Sequence, residues 1–230
     1  MRQKFFTAYK YQMIESRSSL LSYYGALFAV FLLSAVIVTD SHNRGQIAGV
    51  EMCSILFLFV AGITTFGVEM RLYLQCGLSR KLLSLSVLAA TVTLALLVIC
   101  ADFLMGTVLS ALQTGLWSGQ YYSIFEMLFP QLGLPGRLAV QFCVLMAANY
   151  AGLLISAMFF QLPKKARVFY CVIVPTLCAV LFFGGPATPV GAAIVDLLLS
   201  SPIYLAGAMI GVAGLEFLLC HLLAARFYLR

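Results

Sequence analysis

Residues 82–109 read LLSLSVLAATVTLALLVICADFLMGTVL, and the only charged side chain among them is Asp102. About 20 predominantly apolar residues in a helix suffice to cross a hydrocarbon core of about 30 Å. The run is continuously apolar and lacks the alternation of a barrel strand, so it predicts a transmembrane helix. Five further stretches read the same way, at about Leu20–Thr39, Ile47–Val68, Leu138–Phe160, Val168–Phe183 and Ile203–Ala225. The fifth span in chain order, Val168–Phe183, is the shortest and contains Pro175. The expectation is an all-α integral membrane protein, one domain over residues 1–230, with six transmembrane helices.

Composition agrees. Of 230 residues, 63% are hydrophobic and 10% charged, whereas a soluble domain carries about a quarter charged residues to wet its surface. Most of this surface must therefore face lipid. No cleavable signal is apparent, and the first apolar run reads as a retained span. The seven cysteines form no CxxC and no Cys/His group at metal spacing. They read as small apolar fillers, with no metal site and no disulfide framework indicated.

Basic residues set the predicted orientation. With the N-terminus inside, the inner segments hold twelve of the 14 Lys and Arg, leaving only Arg44 and Arg137 outside. Both termini are thus expected in the cytoplasm. The net charge of +6 is explained by anchors at anionic head groups and calls for no nucleic acid.

Before the first span, Phe5, Tyr9 and Met13 recur every four residues, with Lys4, Lys10 and Arg17 as a basic complement. This pattern suits a helix over residues 1–19 lying in the inner interface, or an ordinary juxtamembrane tail. Outside, Ser110–Gly136 carries Trp117, Tyr121 and Tyr122, aromatics suited to head-group level, and the apolar stretch Ile124–Phe129. Gly184–Pro202 places Pro186 and Pro189 before Val190–Leu199, a stretch too short to span and expected to form a re-entrant or interfacial helix ahead of the last span.

Candidate chemistry is sparse. There is no P-loop, HExxH or GxSxG phrase, and the two histidines, His42 and His221, are expected on opposite sides. The chain itself is expected to be no enzyme. Acids within spans matter more, because a mid-bilayer charge costs about 2.5–3.5 kcal/mol on insertion scales. Glu216 lies midway along the last span; Asp102 and Glu51 lie nearer the outer ends of theirs; Asn149 is a polar residue in the fourth. Each suits either a polar site on a pathway or a group that packs helices. Asp196 falls in the outer re-entrant stretch. Gly207, Gly211 and Gly214 in the last span, and Ala148 and Gly152 in the fourth, allow close helix approach.

Between the second and third spans the apolar run stops at Gly67-Val68-Glu69-Met70-Arg71-Leu72-Tyr73-Leu74-Gln75-Cys76-Gly77-Leu78-Ser79-Arg80-Lys81. A short polar helix fits Glu69–Gln75, Gly77 offers a C-cap, and Ser79 suits the N-cap of the next helix. The phrase Gln75-Cys76-Gly77-Leu78-Ser79-Arg80-Lys81 resembles the inner loop of bacterial ABC-2 type transporter permeases, with Leu78 where Val or Ile is commoner. The amphipathic N-terminus, the phrase after span two and the broken outer segment before span six fit the same resemblance. It implies the transmembrane permease subunit of an exporter in the bacterial plasma membrane, with ATP and Mg on a separate ATPase subunit and no cofactor in this chain. It further implies that Glu69, Arg71, Gln75, Gly77, Ser79, Arg80 and Lys81 form a coupling helix and turn against that ATPase. Residues 1–19 become the connector helix, and a second permease chain, identical or a paralogue, completes the pathway. The other readings of the same residues are an ion-coupled secondary transporter or channel using Glu216, Asp102 and Glu51, and a membrane immunity or scaffold protein.

Overall fold

The computed structural model describes residues 2–39, 46–67, 79–113, 120–163, 166–167, 170 and 189–226. They form α1 (Arg2–Thr39), β1 (Gln46–Ala48), α2 (Val50–Gly67), α3 (Arg80–Gln113), β2 (Gln120–Tyr122), α4 (Ile124–Leu128), α5 (Leu134–Gln161), α6 (Pro189–Ser200) and α7 (Pro202–Arg226). Apart from two three-residue strands, paired in parallel with Gln46 opposite Gln120, the regular structure among the described residues is helical.

Among the described residues, four helical stretches are long and apolar enough to cross a membrane: Phe5–Leu33, Leu82–Ala111, Leu134–Gln161 and Pro202–Leu222. Val50–Thr65 is a shorter apolar helix. The surface supports a lipid setting, since Leu21, Leu33, Leu56, Leu104, Ile203 and Leu215 are all more than half exposed. Conversely, the interior holds Gln12, Glu51, Ser54, Thr91, Asp102, Gln141, Asn149 and Ser156. Water favours apolar groups inside; lipid supplies no such bias, and polar groups find partners only within the bundle.

Of the six expected spans, the third, fourth and sixth fall within α3, α5 and α7, each extended by a few residues at its ends. The second begins later than expected. Ile47 belongs to β1, and the helix starts at Val50 after Gly49, whose φ of +112° is a left-handed conformation that breaks the chain's path. Nearly all of the fifth, Val168–Phe183, lies outside the described residues. α6, at 12 residues and roughly 18 Å, is the expected short helix before the last span.

The largest difference is at the N-terminus. No separate interfacial helix precedes the first span: α1 is continuous over 38 residues, roughly 57 Å. Its first half packs on the bundle, with Ala8 buried in a cluster with Leu83, Val87, Tyr150 and Leu153, and the Tyr9 hydroxyl donating to Thr93 Oγ1 at 3.0 Å. Ala8 and Gln12, one turn apart, form a buried stripe that the aromatic periodicity did not reveal.

Contacts fix the helix directions. Tyr9 meets Thr93 and Tyr24 meets Asp102, so α1 runs parallel to α3. Thr91 meets Asn149 and Asp102 meets Gln141, so α5 runs antiparallel to α3. Asn149 Nδ2 donates to the Leu58 carbonyl and Gly62 abuts Leu153, making α2 parallel to α5. Val140 clusters with Leu205 and Tyr150 packs edge-on to Phe217, making α7 parallel to α5 as well. One end of the bundle therefore gathers the starts of α1 and α3 and the ends of α2, α5 and α7. The other end carries β1, β2 and α4, where Phe125 and Phe129 pack against Val140 and Leu205. Arg137 at the start of α5 pairs with Glu126 of α4 at 2.9 Å.

Candidate functional site

Ser84, Thr91 and Asp102 are spaced by seven and eleven residues along α3, near whole numbers of turns, so they share one face. Gln141, Asn149 and Ser156 follow a similar spacing on α5. The two stripes face each other, and the bundle's polar contacts run along them.

Asp102 is the hub. It is 5% exposed, and donors from three other helices converge on its carboxyl. Oδ1 accepts from Ser54 Oγ of α2 at 2.6 Å and from the Tyr24 hydroxyl of α1 at 2.7 Å. Oδ2 accepts from Gln141 Nε2 of α5 at 2.8 Å. The Tyr24 hydroxyl also reaches the Val98 carbonyl at 3.0 Å. Tyr23 stacks on Phe57 with centroids 4.4 Å apart, and its hydroxyl lies 3.4 Å from Ser54 Oγ. Four helices are thus tied at a single side chain.

Glu51 lies in the first turn of α2, one turn before Ser54 on the same face, where a carboxylate is favoured by the helix dipole. It too is 5% exposed, and its Oε2 meets no hydrogen-bond donor among the described residues. Both acids lie toward the span ends in sequence, where water is nearer. Yet the neighbouring helices close over them.

Asn149 sits about two turns from Gln141 along α5. Its Oδ1 accepts from Thr91 Oγ1 at 3.1 Å and its Nδ2 donates to the Leu58 carbonyl at 3.0 Å, joining α2, α3 and α5. Glu216 stands apart on α7, with Oε2 buried and no donor to it among the described residues. Near it, His221 Nδ1 lies 2.8 Å from Ser84 Oγ, joining α7 to the start of α3. Asp196 is exposed on α6. Of the sequence-predicted acids, the fold therefore brings Asp102 and Glu51 into one region and leaves Glu216 elsewhere. Among the described residues, no three His, Cys, Asp or Glu side chains are grouped to hold a metal ion.

Sequence reading missed Tyr24, Ser54 and Gln141. Gln141 had a signal, an amide in an apolar run; Ser54 and Tyr24 had none, since hydroxyls are common in spans.

Of the expected coupling segment, Glu69, Arg71, Gln75 and Gly77 lie outside the described residues. The Ser79 carbonyl accepts the first intrahelical bond of α3, from Leu83 N at 3.0 Å, the position of an N-cap. Arg80 and Lys81 are the first two residues of α3.

Compared with protein-family models, curated proteins and solved structures, the chain matches none of them.

Proposed function

We propose that this chain is the membrane permease subunit of an ATP-binding cassette exporter, powered by a separate ATPase that engages residues 69–81. The observation carrying this reading is the position of the phrase Gly77-Leu78-Ser79-Arg80-Lys81. It leads directly into α3, at the bundle end that also gathers the start of α1 and the end of α7. Arg80, Lys81 and Arg226 all belong to helices at that end, as expected for a cytoplasmic face.

The packing supplies a route for force. A push on the 68–79 connection acts on the end of α2 and the start of α3. α2 is locked to α5 by Asn149 and by close backbone contact, and α3 is locked to both through Asp102. These helices respond as one body, while a second permease chain in the bacterial plasma membrane provides the opposite wall of the pathway. Chemistry stays on the ATPase, which holds ATP and Mg.

A second reading is favoured by one observation: Glu51 and Asp102 are both buried in one region, with a Glu51 oxygen lacking a donor among the described residues. In an ion-coupled carrier these acids take the ion. Against it, Asp102 receives three hydrogen bonds from the protein's own side chains, the arrangement of a packing group.

Co-purification in mild detergent separates the two. An ATPase subunit is expected to accompany the wild type and to be lost from an Arg80→Glu/Lys81→Glu double variant that still inserts and folds. Recovery from native membranes without any nucleotide-binding partner rules out the exporter reading and leaves the carrier and the immunity or scaffold protein.

A further inference from the structure

Gln12 is the polar side chain in α1 that the fold leaves unexplained. It is 3% exposed, and neither Oε1 nor Nε2 meets a hydrogen-bonding partner among the described residues. Buried amides are satisfied by protein or by ordered water in the great majority of cases. Gln12 lines a pocket of about 30 Å³ together with Ser16, Thr65, Thr91 and Asn149.

We infer that this pocket is a water-binding site, taking one or two molecules that bridge Gln12 of α1 to Thr91 of α3 and Asn149 of α5. Size supports this occupant, since a water needs about 10–15 Å³ of such volume, while organic ligands fill pockets of about 300–1,000 Å³. So do the groups on the wall. Asn149 commits one of its two Nδ2 hydrogens to the Leu58 carbonyl, and the Thr65 and Thr91 hydroxyl hydrogens go to the Ala61 carbonyl and Asn149 Oδ1. The threonine oxygens keep lone pairs and Asn149 keeps a second N–H, while Gln12 carries an unpaired donor and an unpaired acceptor among the described residues; water, which both donates and accepts, completes each. A metal cation is disfavoured because no carboxylate lines the pocket, and an uncompensated charge within a span is costly. The bridge sits about three turns from Asp102 along α3. With the Tyr9 and Tyr24 hydroxyl bonds it makes α1 a helix held by polar links.

The test uses the full chain, glutamine-labelled with 15N, in detergent micelles. Gln12 side-chain amide protons, assigned by their loss in Gln12→Met, are expected to show a cross-relaxation peak to water, and absence of that peak overturns the inference. Gln12→Met is also expected to lower the thermal midpoint by a few degrees, because the bridge is lost. A raised midpoint, the result when a dry and unpaired amide is replaced by an apolar side chain, overturns it too.

Discussion

Gly62 of α2 and Gly152 of α5 stand in reciprocal contact: a Cβ on Gly62 collides with the Asn149 carbonyl, and one on Gly152 collides with the Phe59 carbonyl. Each helix thus uses its glycine to admit the other's backbone. The approach brings the Leu58 carbonyl within reach of Asn149 Nδ2. In lipid, where apolar burial gives no preference for protein over tails, close backbone packing of this kind holds helices together.

Alanine at either glycine is expected to destabilise the protein by about 1–3 kcal/mol, the usual range for overpacking. The upper part of that range is expected because the struck atoms are backbone and cannot rotate away. Gly207, Gly211 and Gly214, where a Cβ meets nothing among the described residues within 4 Å, are the controls and should tolerate alanine. Unfolding midpoints in detergent decide it; equal effects in both sets contradict the assignment.

Replacing Asp102 by leucine strands the donors of Tyr24, Ser54 and Gln141. A buried donor left unpaired costs about 1–3 kcal/mol, so this variant is expected to be more damaging than Asp102→Asn. The asparagine keeps an acceptor for Tyr24 and Ser54 but sets its amide against that of Gln141. Adding Gln141→Glu to Asp102→Asn restores a donor–acceptor pair and is expected to recover part of the lost stability. A double-mutant cycle measures the coupling; additive losses contradict a direct Asp102–Gln141 bond.

On the exporter reading, the bundle end bearing Ser79 and Arg226 faces the cytoplasm and Ser201 faces outward. Single cysteines at 79 and 201, in a background lacking native cysteine, should be labelled from opposite sides by an impermeant maleimide. Labelling of both from the same side excludes the antiparallel pairing of α3 and α7. Labelling of Ser79 from outside inverts the proposed topology.

At the end of α5, Arg167 caps the helix, with Nε donating to the Leu162 carbonyl at 3.0 Å and Nη2 to the Phe160 carbonyl at 3.3 Å, its guanidinium over the Phe159 ring at 5.5 Å. A cation at a helix C-terminus is worth about 0.3–1 kcal/mol. Arg167→Ala is expected to cost about that much, measured as a lower unfolding midpoint, and Arg167→Lys to recover only part of it because the planar fork is lost. By sequence this residue read only as a membrane anchor.

Spans were legible because lipid imposes a one-dimensional requirement, length and apolarity, that residues 82–109, 138–160 and 203–225 meet without reference to any neighbour. The short helix before the last span was legible for the same reason, since prolines bound it. The helix over residues 1–19 was legible in its period but not in its destination. An amphipathic pattern does not say what its faces meet, and only the tertiary structure shows Ala8, Tyr9 and Gln12 packed on α3 and its neighbours. The start of α2 was lost to Gly49, whose left-handed turn leaves no mark in hydropathy.

Sequence alone thus determined that this is a helical membrane protein with acids inside its apolar runs to account for, because composition and run length carry that information locally. Tertiary structure decided what those acids touch. Asp102 lies 39 residues from Gln141, 48 from Ser54 and 78 from Tyr24, and no local pattern links positions so far apart. Their meeting depends on helix directions, on the stripes of α3 and α5 turning toward each other, and on two glycines small enough to let α2 close the gap.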